Sequence, residues 1–292
     1  AANLRARHFF SFVERGGWYS ADPFVTWLKC RLDQPRPDGQ ARGYSQLTLS
    51  EFFEATGVEL TLVAADTTSA RMLLLNHRTA PGCPVVWAAR MSMSVPLLWQ
   101  EVEWREEWGP YHAWDPATGD LQPVDVTGHA VVDGGLLSNF PIALLLADRP
   151  DVAAVVGPAR TRNVLGLLID ETLQVPNRPV KPPTPSRFSL GGMRTVERIH
   201  RLLTTATAAH DNMAISAFAR HVVRLPAGGY GTVQFDMDDD ERQALLDAGQ
   251  AAMRAFLGQQ SVLEGMPQGA EFTVGTAERA LANDAALTLL GR

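Results

Sequence analysis

The chain has 292 residues, enough for one large α/β domain or two small ones, and its apolar fraction of 46% is ordinary for a globular protein. Its net charge of −6 is spread over mixed signs without a basic stripe, which argues against a nucleic-acid partner. Two cysteines, Cys30 and Cys83, make no disulfide framework and lack metal-ligand spacing, so both read as small buried hydrophobes. No apolar run approaches the ~20 residues that a membrane-spanning helix needs, and Ala1 to Phe10 carries arginines rather than a cleavable apolar stretch.

In chain order, Leu4 to Val13 predicts a helix that stops at Gly16-Gly17. A second helix, Phe24 to Leu32, opens at Asp22-Pro23, with the proline at the first helical position. Asp33 to Ser45 reads as a loop, and Thr48 to Thr56 as a short helix stopped by Gly57. Val58 to Ala65 and Arg71 to Asn76 predict a hairpin-like pair of strands around Asp66-Thr-Thr-Ser69. Val85 to Ser94 has helical spacing and ends at Pro96. The Trp-rich, acidic stretch from Trp99 to Trp114 reads as a partly packed surface hairpin, because its glutamates would repel an anionic lipid surface. An apolar strand, Ala130 to Asp133, then runs into Gly134-Gly135, and Asn139 is placed to cap a helix from Pro141 to Ala147. Val152 to Val156 and Val164 to Ile169 are expected as buried strands. Gln174 to Arg187, with five prolines, predicts an extended loop. A long helix from Met193 to about Arg220, strands at Val222 to Leu225 and Thr232 to Met237, and an acid-started helix from Asp239 to Leu257 complete the pattern. Strands and helices interleave throughout, which predicts a three-layer α/β domain with a mostly parallel central sheet.

The sharpest feature is Val131-Val-Asp133-Gly134-Gly135-Leu-Leu-Ser-Asn139-Phe-Pro141. An apolar strand delivers a carboxylate to its C-terminal end, where α/β sheets place their ligands. Two glycines then allow another backbone or a substrate to approach closely. The same residues are compatible with a plain Asp-Gly turn, or with a phosphate-binding loop at a helix N-terminus. The spaced glycines of a dinucleotide fingerprint are absent. A second block, Trp87-Ala-Ala-Arg90-Met-Ser92-Met-Ser94-Val-Pro96, reads by itself as a helix of small residues that permit close packing. The seven histidines are scattered and carry no metal spacing; His129 stands four residues before Asp133 and could line a site there.

Taken together, Val58 to Thr67, Ala88 to Pro96 and Val131 to Pro141 resemble three successive blocks of the patatin-like phospholipase family. Gly16-Gly-Trp-Tyr19 with Asp22-Pro-Phe, and Phe235-Asp236-Met-Asp238 with the following helix, are similar to flanking segments of that family, so the likeness runs from about Phe9 to Leu257. The resemblance implies a patatin-like acyl hydrolase domain over residues 1–258 and a C-terminal tail over 259–292. It also implies a lipid or ester substrate, reached in the cytoplasm or at a peripheral membrane surface, and neither metal nor organic cofactor. The family uses a Ser/Asp dyad: an elbow serine attacks the acyl carbonyl, and the aspartate of the Asp-Gly-Gly block accepts its proton. Asp133 is the dyad member that this sequence matches, with Gly134 and Gly135 supporting it.

The departure is that no Gly-x-Ser-x-Gly occurs anywhere in the sequence. The glycine-rich loop that supplies N–H groups to the oxyanion has no counterpart either. Both parts precede residue 1 in the family's order, so the resemblance implies a fragment whose N-terminal strands lie upstream. The Asp133 strand is then expected to have an unfilled side. The alternatives are a non-catalytic lipid-binding or interaction module of the same fold, and a nucleotide-binding α/β protein using the Gly134-Gly135 turn.

Overall fold

The computed structural model describes residues 14, 16–36, 39–160, 164–176, 215–230, 237–263 and 273–291. The expected helix at Leu4 to Val13, most of the proline-rich loop, most of the helix from Met193 and nearly all of the strand at Thr232 to Met237 lie outside the described residues.

Strand β1 (Gly17–Tyr19) precedes helix α1 (Asp22–Leu32), which carries Pro23 in its first turn with Ala21 as its cap residue. Helix α2 (Leu49–Thr56) begins with a reciprocal capping box between Thr48 and Glu51, and ends at Gly57 in the left-handed conformation that a residue without Cβ adopts freely. Strands β2 (Leu62–Asp66) and β3 (Arg71–Leu75) form the expected hairpin, and α3 (Val85–Ser92) follows. Next come β4 (Leu97–Trp99), β5 (Val102–Glu103), β6 (Tyr111–Asp115), β7 (Asp120–Val124) and β8 (Ala130–Asp133).

A single 3₁₀ turn, Gly134–Leu136, leaves β8, and α4 is confined to Ala143–Leu146. Asn139 does not cap it; Ile142 occupies the cap position. The strand expected at Val152 to Val156 is instead part of helix α5 (Pro150–Val156). Pro150 sits at its start, where the ring costs no hydrogen bond, and the apolar run is too short for its composition to separate strand from helix. Strands β9 (Gly166–Gln174) and β10 (Val222–Gly228) and helices α6 (Asp239–Leu263) and α7 (Thr276–Leu289) complete the described chain.

The largest described sheet has the order β3-β2-β8-β5, and every neighbouring pair in it is antiparallel. The expected parallel arrangement is found in the two pairs β1–β4 and β9–β10. The difference at β2 and β3 has a simple cause. Only four residues join them, and so short a link closes a hairpin, whereas a parallel crossover needs a dozen or more. The side of β8 away from β2 is occupied as well: Val102 and Glu103 pair with Val131 and Ala130. The unfilled side expected there is thus filled over Ala130 and Val131, while ladder pairing with β5 does not extend to Val132 and Asp133.

Alternation along β3 explains the layering. Met72 and Leu74 project into a core with Phe140, Leu144, Leu146, Val152 and Val155, whereas Leu73 and Leu75 project into another with Ala88, Met91, Val102, Trp104 and Val131. The sheet is thus covered on both faces, which makes a three-layer α/β fold of mixed strand direction. Helix α7, within the segment read as a tail, places Ala282 and Ala286 in the first of these cores. Trp104 and Trp108 belong to the second and are almost fully buried, so these two are core residues, while Trp99 and Trp114 are partly buried and β6 with β7 forms a hairpin as expected. Cys83 is buried and its thiol pushed up by desolvation, while Cys30, expected inside, is exposed. Among the described residues no helix is long and apolar enough to cross a membrane.

Candidate active site

Three sequence blocks that are far apart in the chain meet at the carboxyl end of β8. Ala64 of β2 pairs with Asp133, and the Asp133 amide donates to the Ser94 carbonyl at 3.0 Å. Ser94 follows α3 directly, so the helix block, the hairpin block and the Asp-Gly-Gly block converge on one junction.

Asp133 leaves the strand in extended conformation and is half buried. Its Oδ1 accepts the Gly135 N–H at 2.8 Å, which fixes the carboxylate over the turn it begins. Gly134 is buried with its Cα flush against β2: a methyl group there would meet the Val63 Cγ1, carbonyl carbon and carbonyl oxygen at 2.6–2.7 Å. At Gly135 a methyl would run into the Asn139 amide oxygen and lie 3.3 Å from the Asp133 carboxylate. Gly134 is therefore required by the close approach of a neighbouring strand, whereas at Gly135 the exposed Asn139 side chain would have to turn aside. The amides of Leu137 and Ser138 both return to the Gly134 carbonyl, at 2.9 and 3.1 Å, closing the turn.

Asp66, which begins the link between β2 and β3, sits toward the opposite end of β8, because β2 and β8 run antiparallel and Asp66 pairs with Val131. It is almost completely buried and takes hydrogen bonds from Thr68 N (3.0 Å), Ser69 N (3.2 Å), Ser69 Oγ and Arg71 Nε (3.3 Å). His129 Nδ1 contacts it at 2.9 Å. Burial by itself would raise this carboxyl, but the bonds from Ser69 and His129 outweigh burial and hold it below the usual carboxylate range. His129 thus belongs to the Asp66 knot and not to Asp133, which lies four residues, or roughly 13 Å, further along extended chain.

The residue whose importance the sequence reading missed is Arg90. It lies on α3, is 4% exposed, and donates to the Gln100 carbonyl at 2.6 Å and to Ser94 Oγ. The available signal was an arginine and a serine four apart at the end of a helix before Pro96, a spacing that puts both on one face.

The Asp-Gly-Gly turn leads into one 3₁₀ turn, and the next helix has four residues. That arrangement does not present the N-terminus of a long helix to a phosphate, as a nucleotide loop does. Among the described residues no group of three His, Cys, Asp or Glu side chains is placed to hold a metal ion.

Fold and junction together are those of a three-layer α/β domain with an aspartate at a strand end. The patatin-like phospholipase family model matches residues 1–146, half of the chain, and the chain belongs to that family. It is also 26% identical over 264 residues to YqhO, an uncharacterized protein of Bacillus subtilis (strain 168), in an alignment covering 88% of this chain and 72% of the relative.

Proposed function

We propose that this chain carries the acid/base half of a lipid acyl hydrolase, with Asp133 as the catalytic aspartate of a Ser/Asp dyad and Gly134 and Gly135 shaping its site. The observation that carries this reading is the junction itself. A half-buried carboxylate stands at the carboxyl end of β8, fixed by the Gly135 N–H, on a turn whose first glycine is pressed against β2. A patatin-like phospholipase needs a base at that point in its Asp-Gly-Gly block.

In the proposed reaction a serine oxygen attacks the ester carbonyl while its proton passes to the Asp133 carboxylate. The tetrahedral intermediate collapses by breaking the carbon–oxygen bond to the alcohol, which leaves with that proton. Water then repeats the sequence on the acyl-enzyme, with Asp133 again taking and returning the proton. The serine is not within a Gly-x-Ser-x-Gly motif of this sequence. The proposal therefore places it, with the oxyanion loop, among residues encoded before Ala1. A non-catalytic lipid-binding module is the second reading, favoured by that same absence.

The test uses a fluorophosphonate probe, which labels activated serines covalently. The 292-residue chain alone is expected to remain unlabelled. The chain produced together with the residues encoded before Ala1 is expected to label at one serine and to hydrolyse short-chain and phospholipid esters. Asp133→Asn in that protein should lower turnover by orders of magnitude with the fold intact, since a carboxamide cannot take the serine proton. Labelling of Ser92 or Ser94 in the chain alone would overturn the dyad assignment, and an upstream segment without any labelled serine would favour the binding module.

A further inference from the structure

We propose that Arg90 is a positioning residue for Asp133: its guanidinium clamps the two ends of the 94–100 segment, and the Ser94 carbonyl at one end of that segment holds the Asp133 amide. The inference rests on the reading of Asp133 as the acid/base group, and it extends that reading to a residue that does not touch the substrate.

The geometry is a closed circuit. One arm of the Arg90 guanidinium bonds Ser94 Oγ, and the other donates to the Gln100 carbonyl at 2.6 Å. Ser94 Oγ in turn donates to the Arg90 carbonyl, so the serine is tied to both ends of the same arginine. Between the clamped ends the backbone turns sharply. Leu97 occupies the left-handed region at φ 67°, a conformation that is unfavourable for a residue with a side chain and persists only when its surroundings enforce it. The segment is also stitched to β1, through Leu97 N to the Gly16 carbonyl at 3.2 Å and Gln100 N to the Tyr19 carbonyl at 3.0 Å. What the clamp delivers is the Ser94 carbonyl, which takes the Asp133 N–H at 3.0 Å where β8 ends and its pairing with β5 has already run out.

The choice of side chain is itself informative. Ser94 and Arg90 are buried, and both named acceptors of the guanidinium are neutral. Burial pulls the Arg90 pKa down to about 10, with the Asp22 carboxylate at the start of α1 opposing that shift, so the group stays cationic at neutral pH. Burying a charge is costly unless hydrogen bonds compensate it, and Ser94 Oγ and the Gln100 carbonyl supply those bonds. A fork of two divergent donors can bridge the ends of a bent segment, whereas a lysine offers a point charge at one place.

The experiment compares Arg90→Ala, Arg90→Lys and Ser94→Ala with the parent by hydrogen exchange. It then measures ester turnover in the same variants made with the residues encoded before Ala1. In Arg90→Ala we expect the amides of 94–100 and Asp133 to exchange at least tenfold faster while those of α7 are unchanged. Turnover should fall by about 10- to 100-fold in kcat with KM within twofold, the size of loss that a small misplacement of a catalytic group produces. Added guanidinium ion, but not an equal concentration of sodium, should restore part of both. Arg90→Lys and Ser94→Ala should show smaller effects of the same kind, and Ser94→Ala carries the test if Arg90→Ala does not fold. Unchanged exchange at 94–100 and Asp133 overturns the clamp. Faster exchange there with a parental kcat overturns its positioning role. A parent that turns over no ester removes the hydrolase reading instead, and with it the catalytic role, while exchange still decides the clamp.

Discussion

Replacing Gly134 by alanine tests whether the aspartate is held by close approach of β8 to β2. The added methyl would sit 2.6 Å from Val63 Cγ1 and 2.7 Å from both the carbonyl carbon and oxygen of Val63. Carbon–carbon contacts are comfortable at about 3.5–4.0 Å, so roughly 1 Å of clearance has to be found. Two of the three obstacles are backbone, in a strand hydrogen-bonded to neighbours on both sides, which leaves little room to yield. Forcing a methyl into such a place costs about 1–3 kcal/mol. Gly134 is not in the left-handed region, so alanine adopts its backbone without strain and recovers about 0.4–1 kcal/mol from a less flexible unfolded chain. The repulsive effect dominates, leaving a net loss of about 1–2 kcal/mol and a fall in melting temperature of roughly 2–8 °C. The assay is thermal and urea denaturation of Gly134→Ala, Val63→Ala and the double variant. Because Val63→Ala removes Cγ1 but leaves both backbone obstacles, it should relieve only part of the clash in the double-mutant cycle. A Gly134→Ala protein as stable as the parent, or more so, would refute the close-approach argument. Complete relief by Val63→Ala would show that only the side chain was in the way.

Trp104→Ala should destabilise the chain by about 3–5 kcal/mol in urea denaturation, because this fully buried ring packs edge-on against Trp108 and Tyr111 and its Nε1 donates to the Gly109 carbonyl at 2.8 Å. A loss below 1 kcal/mol would mean that the tryptophan cluster is not core. Asp66 predicts an acid dependence. Its folded carboxyl lies below the ordinary value, so its contribution is fully present above about pH 4 and is lost as pH falls through the folded pKa. Stability measured against pH should therefore decline below about pH 4 less steeply in Asp66→Asn than in the parent, and an identical slope in the two would remove Asp66 as the source.

Much of the fold was readable wherever local chemistry decides structure. The Thr48 and Glu51 capping box, Gly57 as a stop, Pro23 in a first turn and the four-residue link between β2 and β3 each fix an element through residues close in sequence. Val152 to Val156 was misread because five small and β-branched residues carry no period, and Pro150 with the packing of Val152 and Val155 into the core decides in favour of helix. The tryptophans were assigned to the surface on the charges interleaved with them. The glutamates of that stretch are exposed, and Arg105 beside them covers the core, its guanidinium 4.1 Å from the centre of the Trp87 ring and 5.2 Å from that of Trp108. At the candidate site, the aspartate and its glycines are contiguous and therefore visible in sequence. Ser94 and Arg90 reach Asp133 only after 38 or more intervening residues have folded back, and no local pattern encodes that return.

The two aspartates near the ends of β8 stand in different surroundings, and the proposed acid/base role falls to the one outside the hydrogen-bonded knot. At Asp66, backbone amides, a serine hydroxyl, an arginine and a histidine all converge on the carboxylate, so each oxygen already has donors and the anion is held below its ordinary pKa. A carboxylate so well satisfied is a poor base, because taking a proton means surrendering those bonds. Its position at the hairpin turn, bridging β2 to β3 through Arg71 and to the start of β8 through His129, suits it to holding the sheet in register. Asp133 stands at the other end of the strand, half buried, with a backbone N–H orienting one oxygen and glycines in place of side chains on the turn beneath it. The proposed general base needs orientation from the backbone, and the Gly135 N–H supplies it here. Antiparallel pairing of β2 with β8 is what keeps the two aspartates apart, with Asp66 level with Val131 and Asp133 level with Ala64.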